Sequence, residues 1–512
     1  MAILRINFKF LPLLLALGVG ACGTEPTPVP EPETPAPQPE PESPPPPPSA
    51  PDTEAPRITF LSPEPGARPA LARVHVTGTV SDATGIRELS WKLNAEAPVV
   101  LSTTDATSQT LDFVLVPRPG LNTVVVSTRD PQGNAGESSL SFTFGGQTGA
   151  GGLHSGVVRE GRLYTWGRNN RGQLGIGSTT DAPTPVRVES LTDVAALVIA
   201  QNDSLALQSD GSVWVWGDNG SGQLGQGQPG TPDTTPRNVP TRVPGLSDAV
   251  MGALGYTHTL VLHRDGHVSA FGKNNNGQLG DGTLVDRHYP VPVQDLTDVV
   301  RVIGGSQHSA ALRADGTVWV WGRNTYGNLG TGTADSTNQS KPLQVPGLTD
   351  VVDLANGRDH LLALHRDGTV SAWGLNASGQ LGDGQGGKDS QRATPAPVLG
   401  LADARAVYAQ GNMSFARRQD GSVWGWGQNF NGQLCTGDTT ELSVPTTPAL
   451  LRVDPAEPLL GLTDVALGAT HAVSLHRDGT VYAWGWSAKG SLGRADLLEN
   501  WAYPLPQQVV LP

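Results

Sequence analysis

Cysteine is almost absent from this chain of 512 residues, which contains only Cys22 and Cys435. Two cysteines cannot build the disulfide framework of a small secreted protein, so a folded core must be stabilised by apolar packing. Basic residues are also scarce, because 34 lysines and arginines stand against 47 aspartates and glutamates. The net charge of -13 opposes neutralisation of a phosphate backbone, and we expect no nucleic-acid partner.

A single long apolar run opens the chain, covering residues 10–19 after the basic residues Arg5 and Lys9. This run is too short for a stable transmembrane helix, but it is typical of the central region of a secretory signal peptide. We therefore expect an exported protein whose lipoprotein signal peptide covers residues 1–21.

The end of that run, Val19-Gly20-Ala21-Cys22, resembles the bacterial lipobox, in which a cysteine after two small residues receives lipid. The resemblance implies that Cys22 becomes a lipidated N-terminus, and an ordinary cleavage site beside an incidental cysteine is the alternative. Gly23 stands where an aspartate would be the family's retention signal, which favours the outer membrane or cell surface.

Residues 22–51 are dominated by proline and glutamate and contain no basic residue. Proline fixes φ and removes a backbone donor, so this segment cannot bury a core and is predicted to be a disordered linker of polyproline II type. We expect it to be a spacer between the membrane and the folded domains, and recognition of its prolines by a partner is the alternative.

Residues 52–147 contain short stretches in which apolar residues alternate with others, such as Val74, Val76 and Val80. This alternation indicates strands with one buried face, and turn residues such as Pro65-Gly66 and those at 130–134 separate the strands. Several short strands in about a hundred residues favour an immunoglobulin-like β-sandwich. The strings TVSDATGI and LNTVVVSTRDPQGNAG resemble the immunoglobulin-like modules of bacterial surface proteins.

Four carboxylates fall near the predicted strand ends, where calcium sites form in some sandwich families: Asp52, Glu54, Asp82 and Asp130. A hard cation needs about six oxygens converging on one point. Turns built on the acidic side chains explain the same residues without an ion, so we predict no metal site.

Seven copies of one motif follow Gly151, each with a strand, a tight turn and a second strand that ends in an aromatic-glycine pair. The aromatic residues recur at intervals of 50 to 58 residues: Trp166, Trp216, Phe271, Trp321, Trp373, Trp426 and Trp484. Six of the turns are Asp-Gly, which supplies the positive φ of a tight hairpin. A GxLG loop, a proline-bearing strand and a strand of the LTDVV type follow, and Cys435 replaces the last loop glycine in the sixth copy.

Each copy therefore predicts about four short strands with apolar residues on both faces, and one such sheet cannot cover itself. Seven sheets arranged radially cover one another, so we predict an all-β chain with a seven-bladed β-propeller at 151–512 after the sandwich. The repeats resemble the regulator of chromosome condensation family over this range. The seventh copy ends without an LTDVV strand, so either residues near 140–151 complete the first blade or one strand is missing.

A histidine recurs eight residues before the turn glycine, as His258, His308, His360 and His471, and His154 lies one residue closer. Zinc would take three or four such ligands, but Asp203 and Met413 hold the same place in the other copies. We favour a hydrogen bond that locks neighbouring blades. The nucleotide-like pattern at 225–230 is not followed by a helix, and the one at 382–389 lacks the Ser or Thr of a phosphate-binding loop. We therefore predict no cofactor. Candidate catalytic residues do not converge in the sequence pattern either, so we predict no catalytic site.

The resemblance implies two precedents for function. The eukaryotic founding member is a guanine-nucleotide exchange factor, which the acidic N-terminal extension and the export signal disfavour here. A bacterial β-lactamase inhibitor protein of this fold binds another protein through a propeller face, which is the closer analogy.

Extra residues follow the GxLG loops at 226–238, 384–394 and 437–458, and variable loops on one rim of a scaffold often carry recognition. Tolerated insertions without a partner are the alternative. We expect a lipid-anchored, non-catalytic binding module that engages a protein or glycan. The competing hypothesis is a secreted lyase or hydrolase, which requires polar residues that break the repeat symmetry near the propeller axis.

Overall fold

The computed structural model describes residues 51–444, 452–454, 457–458 and 461–512. The predicted signal peptide, Cys22 and nearly all of the predicted linker lie outside the described residues. Asp52–Pro512 form one compact unit. Every regular element in the described ranges is a β-strand, and none of the described residues forms a helix that could span a bilayer.

The first seven strands form two antiparallel sheets, which we call the N-terminal sheet pair. One sheet has the order β1-β2-β5 and the other the order β4-β3-β6-β7. The strands are β1 (Arg57–Ser62), β2 (Val74–Ser81), β3 (Glu88–Leu93), β4 (Val99–Val100), β5 (Ser108–Leu115), β6 (Gly120–Arg129) and β7 (Ala135–Phe144).

One apolar core joins the two sheets. Alternate residues of β2 are buried, as the sequence pattern predicts, and Val76 packs with Leu111 of the same sheet and with Leu89 and Phe142 of the other. Strands β1, β3, β5 and β7 contribute in the same way. Two face-to-face sheets with a shared core are therefore observed, whereas their immunoglobulin-like type stays a prediction.

Seven further sheets follow, which we call blades 1 to 7. Their strands are β8 (Thr148–Ala150), β9 (His154–Arg159), β10 (Arg162–Gly167) and β11 (Ala182–Arg187) in blade 1; β12 (Val194–Ile199), β13 (Asp203–Gln208), β14 (Val213–Gly217) and β15 (Arg237–Arg242) in blade 2; β16 (Ala249–Leu254), β17 (His258–His263), β18 (Val268–Gly272) and β19 (Arg287–Pro292) in blade 3; and β20 (Val299–Gly304), β21 (His308–Arg313), β22 (Val318–Gly322) and β23 (Gln339–Gln344) in blade 4.

The later blades repeat this order. Their strands are β24 (Val351–Asn356), β25 (His360–His365), β26 (Val370–Leu375) and β27 (Gln391–Pro397) in blade 5; β28 (Ala404–Gln410), β29 (Met413–Arg418) and β30 (Val423–Gly427) in blade 6; and β33 (Leu462–Leu467), β34 (His471–His476), β35 (Val481–Ser487) and β36 (Trp501–Val509) in blade 7. The short hairpin of β31 (Arg452–Asp454) and β32 (Glu457–Pro458) precedes blade 7. In blade 6 a bridge from Gly427 to Leu442 begins the pairing on the outer edge, and residues 445–451 lie outside the described ranges.

The blades close into a ring. Consecutive blades contact each other through their inner strands, and β8 of blade 1 contacts β33 and β34 of blade 7. Thr148–Ala150 pair with β9 and supply the innermost strand that the seventh copy cannot provide. The closure that the sequence left open is thus achieved by residues just before the first repeat.

The Asp-Gly turns explain why each copy folds into a hairpin. Gly211 has φ of +82° and Gly316 has φ of +81°, a region that favours glycine. The aspartate caps the same turn, since Asp210 Oδ1 accepts a 2.8 Å hydrogen bond from Ser212 N and Asp478 Oδ1 one from Thr480 N. Both parts of the dipeptide therefore act in the turn.

The two faces of the ring carry different loops. The Asp-Gly turn joins the second and third strands of a blade, whereas the GxLG loop follows the third strand. These loops consequently lie at opposite ends of each sheet. We call the first side the hairpin face and the second the insertion face.

Closure by Thr148–Ala150 makes a testable prediction about two nearby glycines. A Cβ at Gly149 would lie 2.6 Å from Cγ1 of Ile199 in blade 2, whereas the closest atom to a Cβ at Gly146 is 3.4 Å away. Gly149→Ala should lower the free energy of unfolding by about 1–3 kcal/mol because it overpacks the contact between the closing strand and blade 2. Gly146→Ala is the matched control and should change it by less than about 0.5 kcal/mol. Equal effects in urea denaturation would contradict this packing of the closing strand.

Candidate functional site

The recurrent histidines lie at the seams between blades. His154, His258, His308, His360 and His471 are all fully buried. In four of them Nε2 is hydrogen-bonded to a serine hydroxyl of the next blade: His154 to Ser204, His258 to Ser309, His360 to Ser414 and His471 to Ser155, at 2.8–3.1 Å. The predicted blade-locking hydrogen bond is confirmed at these four positions.

Each of these serines also donates to a backbone carbonyl in the GxLG loop of the preceding blade. Ser309 Oγ donates to Gln278 O at 2.8 Å, and Ser155 Oγ donates to Ser491 O at 3.0 Å across the ring closure. The hydroxyl proton is used in this bond, so the serine must accept from the histidine. The relay therefore runs from Nε2–H of the histidine to the serine and then to the carbonyl.

The conserved indoles of the repeat use the same carbonyl oxygens. Trp321 Nε1 donates to Gln278 O at 2.8 Å, and Trp166 Nε1 donates to Ser491 O at 2.9 Å. Trp216, Trp373, Trp426 and Trp484 make the equivalent bond. All six tryptophans are fully buried, so they serve assembly of the ring.

Burial keeps these imidazoles neutral. It lowers the pKa of His154, His258 and His360 to about 3 and that of His308 and His471 to about 4. A neutral ring with a proton on Nε2 is the state that the serine relay requires. Burial therefore favours the neutral ring, and the serine bonds select its Nε2–H tautomer at the four relay positions.

A glycine lies three residues before each histidine, and the sequence pattern showed this glycine without its link to the histidine. A Cβ at Gly255 would lie 2.1 Å from Cε1 of His258, and one at Gly305 would lie 2.1 Å from Cε1 of His308. Gly151, Gly357 and Gly468 hold the same place before His154, His360 and His471. The copies without histidine have Ala200 before Asp203 and Gln410 before Met413, because no imidazole occupies that space.

Three of the seven seams lack the relay. His308 faces Leu361 in place of a serine, and its Nδ1 is 3.0 Å from Nδ2 of Asn328. At the other two seams, Met413 and Ala472 hold the histidine and serine positions, as do Asp203 and Thr259. The complete seams join blades 1 and 2, 3 and 4, 5 and 6, and 7 and 1.

The buried histidines predict a stability that depends on pH. The folded-state pKa lies below the unfolded value of about 6.5, so the unfolded chain binds more protons at acid pH. The stabilisation is complete above about pH 6.5 and is lost as pH falls toward 3, by about 1.4 kcal/mol per histidine per pH unit. Urea denaturation at a series of pH values measures this slope.

His360→Gln should reduce that slope by the equivalent of one proton, because it removes one titrating group from the core. The exposed His267 provides the control, since His267→Gln leaves all buried histidines in place. A slope in His360→Gln equal to that of the wild type would contradict the neutral, buried state of this ring.

The N-terminal sheet pair packs on the hairpin face. Glu96 accepts two hydrogen bonds from the Arg264 guanidinium, at 2.7 and 2.9 Å, and a third from Arg118 at 3.1 Å. The hydrogen bond from Arg264 and the two positive charges hold the pKa of Glu96 below its usual range. Arg73 lies 3.4 Å from Asp298 in the turn that enters blade 4.

A polar pair near the inner strands breaks the repeat symmetry, as the enzyme hypothesis requires. Arg301 of β20 and Asp353 of β24 form a 3.0 Å ion pair. The Arg301 guanidinium also donates to Ala70 O and to Leu354 O, each at 2.8 Å. These contacts hold the N-terminal segment and blade 5 to blade 4. The enzyme hypothesis itself stays a prediction.

The insertion face carries exposed aromatic side chains. Phe430 is 63% exposed and Trp501 60%, and they are the two exposed aromatics within the described residues. Phe430 lies in the loop after β30, and Trp501 begins β36 of the next blade. These loops are in contact, because Gly437 N donates to Pro504 O at 3.3 Å.

The inserted segments also lie on this face. Residues 226–238 and 384–394 are in the described ranges, whereas 437–458 is described only in part. No helix follows Gly225 or Gly382 in these described loops, so neither pattern forms a phosphate-binding helix terminus. Arg237 pairs with Asp233, and Arg392 pairs with Asp383 at 2.5 Å.

Three of the four predicted carboxylates come together at the Ser81 end of strand β2. One oxygen from each of Asp52, Asp82 and Asp130 lies within 4.8 Å of the others. The predicted turns are present, since Asp82 Oδ1 accepts from Thr84 N at 2.8 Å and Asp130 Oδ1 from Asn134 N at 2.7 Å. The sequence reasoning placed these residues in separate turns and did not predict that they converge.

The candidate lipidation site Cys22 lies outside the described residues. Cys435, the other cysteine, is buried with φ of +60° at the position where six copies have glycine. The equivalent glycines of other blades face the next tryptophan, as Gly382 faces Trp426. This cysteine therefore belongs to a seam.

Comparison with known families finds three matches. Residues 124–401 match the RCC1-like domain, and residues 420–475 and 462–491 each match the regulator of chromosome condensation (RCC1) repeat. The first match alone covers more than half of the chain.

Among curated relatives, the ultraviolet-B receptor UVR8 of Arabidopsis thaliana is 34% identical over 32% of this chain and 36% of its own length. The human E3 ubiquitin-protein ligase HERC2 is 31% identical over 65% of this chain and 7% of its own length. The chain thus spans about a third or less of these relatives.

Solved structures support the fold. Yeast RCC1 (Prp20) bound to Kap60 superposes with a TM-score of 0.59 at 21% identity, covering 68% of this chain and 83% of the other. Human WBSCR16 superposes with a TM-score of 0.59 at 24% identity, covering 69% of this chain and 95% of the other. At these identities the likeness concerns the fold alone.

Proposed function

The chain belongs to the RCC1-like family, and from this premise we propose that it is a non-catalytic protein-binding module that engages its partner through the insertion face. Yeast RCC1, which has the same fold, is bound by Kap60, so a protein with this fold has a protein partner. We propose further that the N-terminal sheet pair is of immunoglobulin-like type and that Cys22 anchors the exported chain to a bacterial outer membrane.

The arrangement of the two faces supports this choice. The N-terminal sheet pair covers part of the hairpin face through Glu96 and Arg73. The insertion face carries none of these contacts, and it bears the inserted segments 226–238 and 384–394. A macromolecular partner has more accessible surface on that side.

The orientation of the sheet pair adds to the argument. Strand β2 runs from Val74, next to the propeller contact Arg73, to Ser81, next to Asp82 in the carboxylate cluster. Eight strand residues span about 25 Å. Asp52 lies in that same cluster, so the described chain begins at the end remote from the propeller.

The exposed aromatics carry the proposal. Phe430 and Trp501 lie on adjacent blades, and Leu498 between β35 and β36 is 66% exposed. Exposed aromatic and aliphatic groups in one region are typical of the central contacts of protein interfaces. In blade 7 the pairing continues past the Gly485–Tyr503 pair to Trp486–Ala502 and Ser487–Trp501, which extends this hairpin at the insertion face.

Truncating both aromatics tests the proposed surface. Phe430→Ala with Trp501→Ala should weaken partner binding at least tenfold, because truncation of central aromatic contacts costs about 2 kcal/mol or more. The control is Val114→Ala with Leu121→Ala, which removes side chains of 56% and 69% exposure from the sheet pair. Purified full chain, crosslinked to extracellular extract and analysed by mass spectrometry, identifies the partner, and titration measures the affinity.

Equal loss in both double variants would contradict the insertion face as the docking surface. Binding that survives protease treatment of the extract and is lost on glycosidase treatment would replace the protein partner with a glycan.

The proposed anchor has its own test. Cys22→Ala should abolish incorporation of labelled palmitate and shift the chain from the membrane to the soluble fraction, because the acyl chains supply the membrane affinity. Cys435→Gly is the matched control, since it removes the other cysteine and introduces the residue found in six copies. Membrane retention and label in Cys22→Ala would contradict the anchor.

A further inference from the structure

The seam between blades 2 and 3 lacks both the histidine–serine bond and the indole bond of a complete seam. Asp203 takes the histidine position, is 1% exposed, and neither of its carboxylate oxygens has a hydrogen-bond partner within the described part of the chain. Phe271 takes the tryptophan position and has no N–H to donate to Gln223 O. The hydroxyl of Thr259 donates to that carbonyl at 2.7 Å. A complete seam has a histidine–serine bond, a serine–carbonyl bond and an indole–carbonyl bond. Only the hydroxyl–carbonyl bond remains here.

The other incomplete seams keep the indole bond. Between blades 4 and 5, Trp373 Nε1 donates to Asn328 O at 3.0 Å, and Arg301 bonds to Leu354 O. Between blades 6 and 7, Trp484 Nε1 donates to Gln433 O at 2.9 Å. At the seam between blades 2 and 3, Gly227 N donates to His288 O at 2.7 Å, and His288 Nδ1 lies 3.3 Å from Asp233 O. Val215 and Leu205 share one apolar cluster with Val261 and Phe271 of blade 3.

The N-terminal sheet pair bridges this seam on the hairpin face. On blade 2 it packs backbone against small side chains, since a Cβ at Gly120 would lie 3.0 Å from Cβ of Ala195 and one at Gly145 would lie 2.7 Å from Cβ of Ala196. On blade 3 its Glu96 binds both terminal nitrogens of Arg264.

Further contacts of the N-terminal sheet pair are made with blades 3 and 4. Arg118 lies 4.0 Å from Asp248 at the entrance to blade 3, and Phe144 packs in the same apolar cluster as Val250. Ala72 N donates to Val300 O of blade 4 at 2.8 Å. The sheet pair therefore contacts blades 2, 3 and 4 at once.

We propose that the N-terminal sheet pair is an intramolecular clamp that holds blades 2 and 3 together, and that the ring opens at this seam when the clamp is released. The clamp replaces, from outside the ring, the relay and the indole bond that this seam lacks. The seam between blades 3 and 4 is spanned by the same sheet pair, but the His258–Ser309 relay and Trp321 also hold it. The two seams are thus a matched pair that differs in internal bonding.

Thiol labelling at the two seams tests the clamp. Val215 and Ala270 are both fully buried, Val215 against Phe271 of blade 3 and Ala270 against Trp321 of blade 4. Val215→Cys and Ala270→Cys are introduced separately into a full chain that carries Cys22→Ala and Cys435→Gly. Glu96→Ala is then added to each to release the contact with Arg264, and circular dichroism verifies the fold.

The expected result is that Glu96→Ala accelerates maleimide labelling of the cysteine at 215 at least about tenfold and leaves that at 270 within about twofold. Equal acceleration at both cysteines, or no acceleration at either in the folded variant, would overturn the proposal.

A second variant keeps the proposal testable where Glu96→Ala does not fold. Ala200→Gly, Asp203→His, Thr259→Ser and Phe271→Trp together give this seam the residues of the complete seams. With Glu96 intact, they should slow labelling of the cysteine at 215 at least about fivefold. Unchanged labelling in the folded repaired chain would show that the missing bonds do not govern opening of this seam.

Discussion

The ring depends on one carbonyl oxygen per blade that receives hydrogen bonds from the blade that follows. At a complete seam that oxygen accepts from an indole and a serine, and the serine accepts from a histidine of the carbonyl's own blade. Apolar burial favours contact between blades but is not directional. These buried hydrogen bonds add direction, because each demands a defined position of one sheet against the next. The same seam bonds join blades 7 and 1, where Asp464 of blade 7 also accepts from the backbone N–H groups of Gln147 and Thr148.

Much of this architecture could be predicted from local sequence signals. Alternation in residues such as Val74 and Val76 revealed strand β2, and the Asp-Gly turns with their aromatic-glycine pairs revealed the repeats. The sequence offered residues near 140–151 as one of two ways to complete the ring but could not decide between them, because the role of Thr148–Ala150 depends on contact with the last blade and not on its own three residues. Likewise, the convergence of Asp52, Asp82 and Asp130 depends on how three separate turns meet at one end of the sheet pair.

The hydrogen bonds at the seams could be predicted from the sequence only in part, for a related reason. The histidine that begins a relay and the serine that receives it belong to different copies, so neither copy alone shows the pair. The glycine three residues before the histidine was visible, however, and its replacement by Ala200 before Asp203 marks the altered copy. Residues of the repeat that share space are therefore replaced together. The same variation leaves one seam dependent on the N-terminal sheet pair, and it places exposed aromatics on the face which that pair leaves open.

The tautomeric state of the buried histidines tests the seam relay most directly. Nitrogen-15 NMR of the chain labelled at histidine, with His→Gln variants for assignment, distinguishes neutral Nε2–H, neutral Nδ1–H and imidazolium forms. The relay predicts neutral Nε2–H rings at pH 7 and at pH 6 for His154, His258, His360 and His471. An Nδ1–H tautomer at these positions, or an imidazolium at pH 6 in the folded chain, would contradict it.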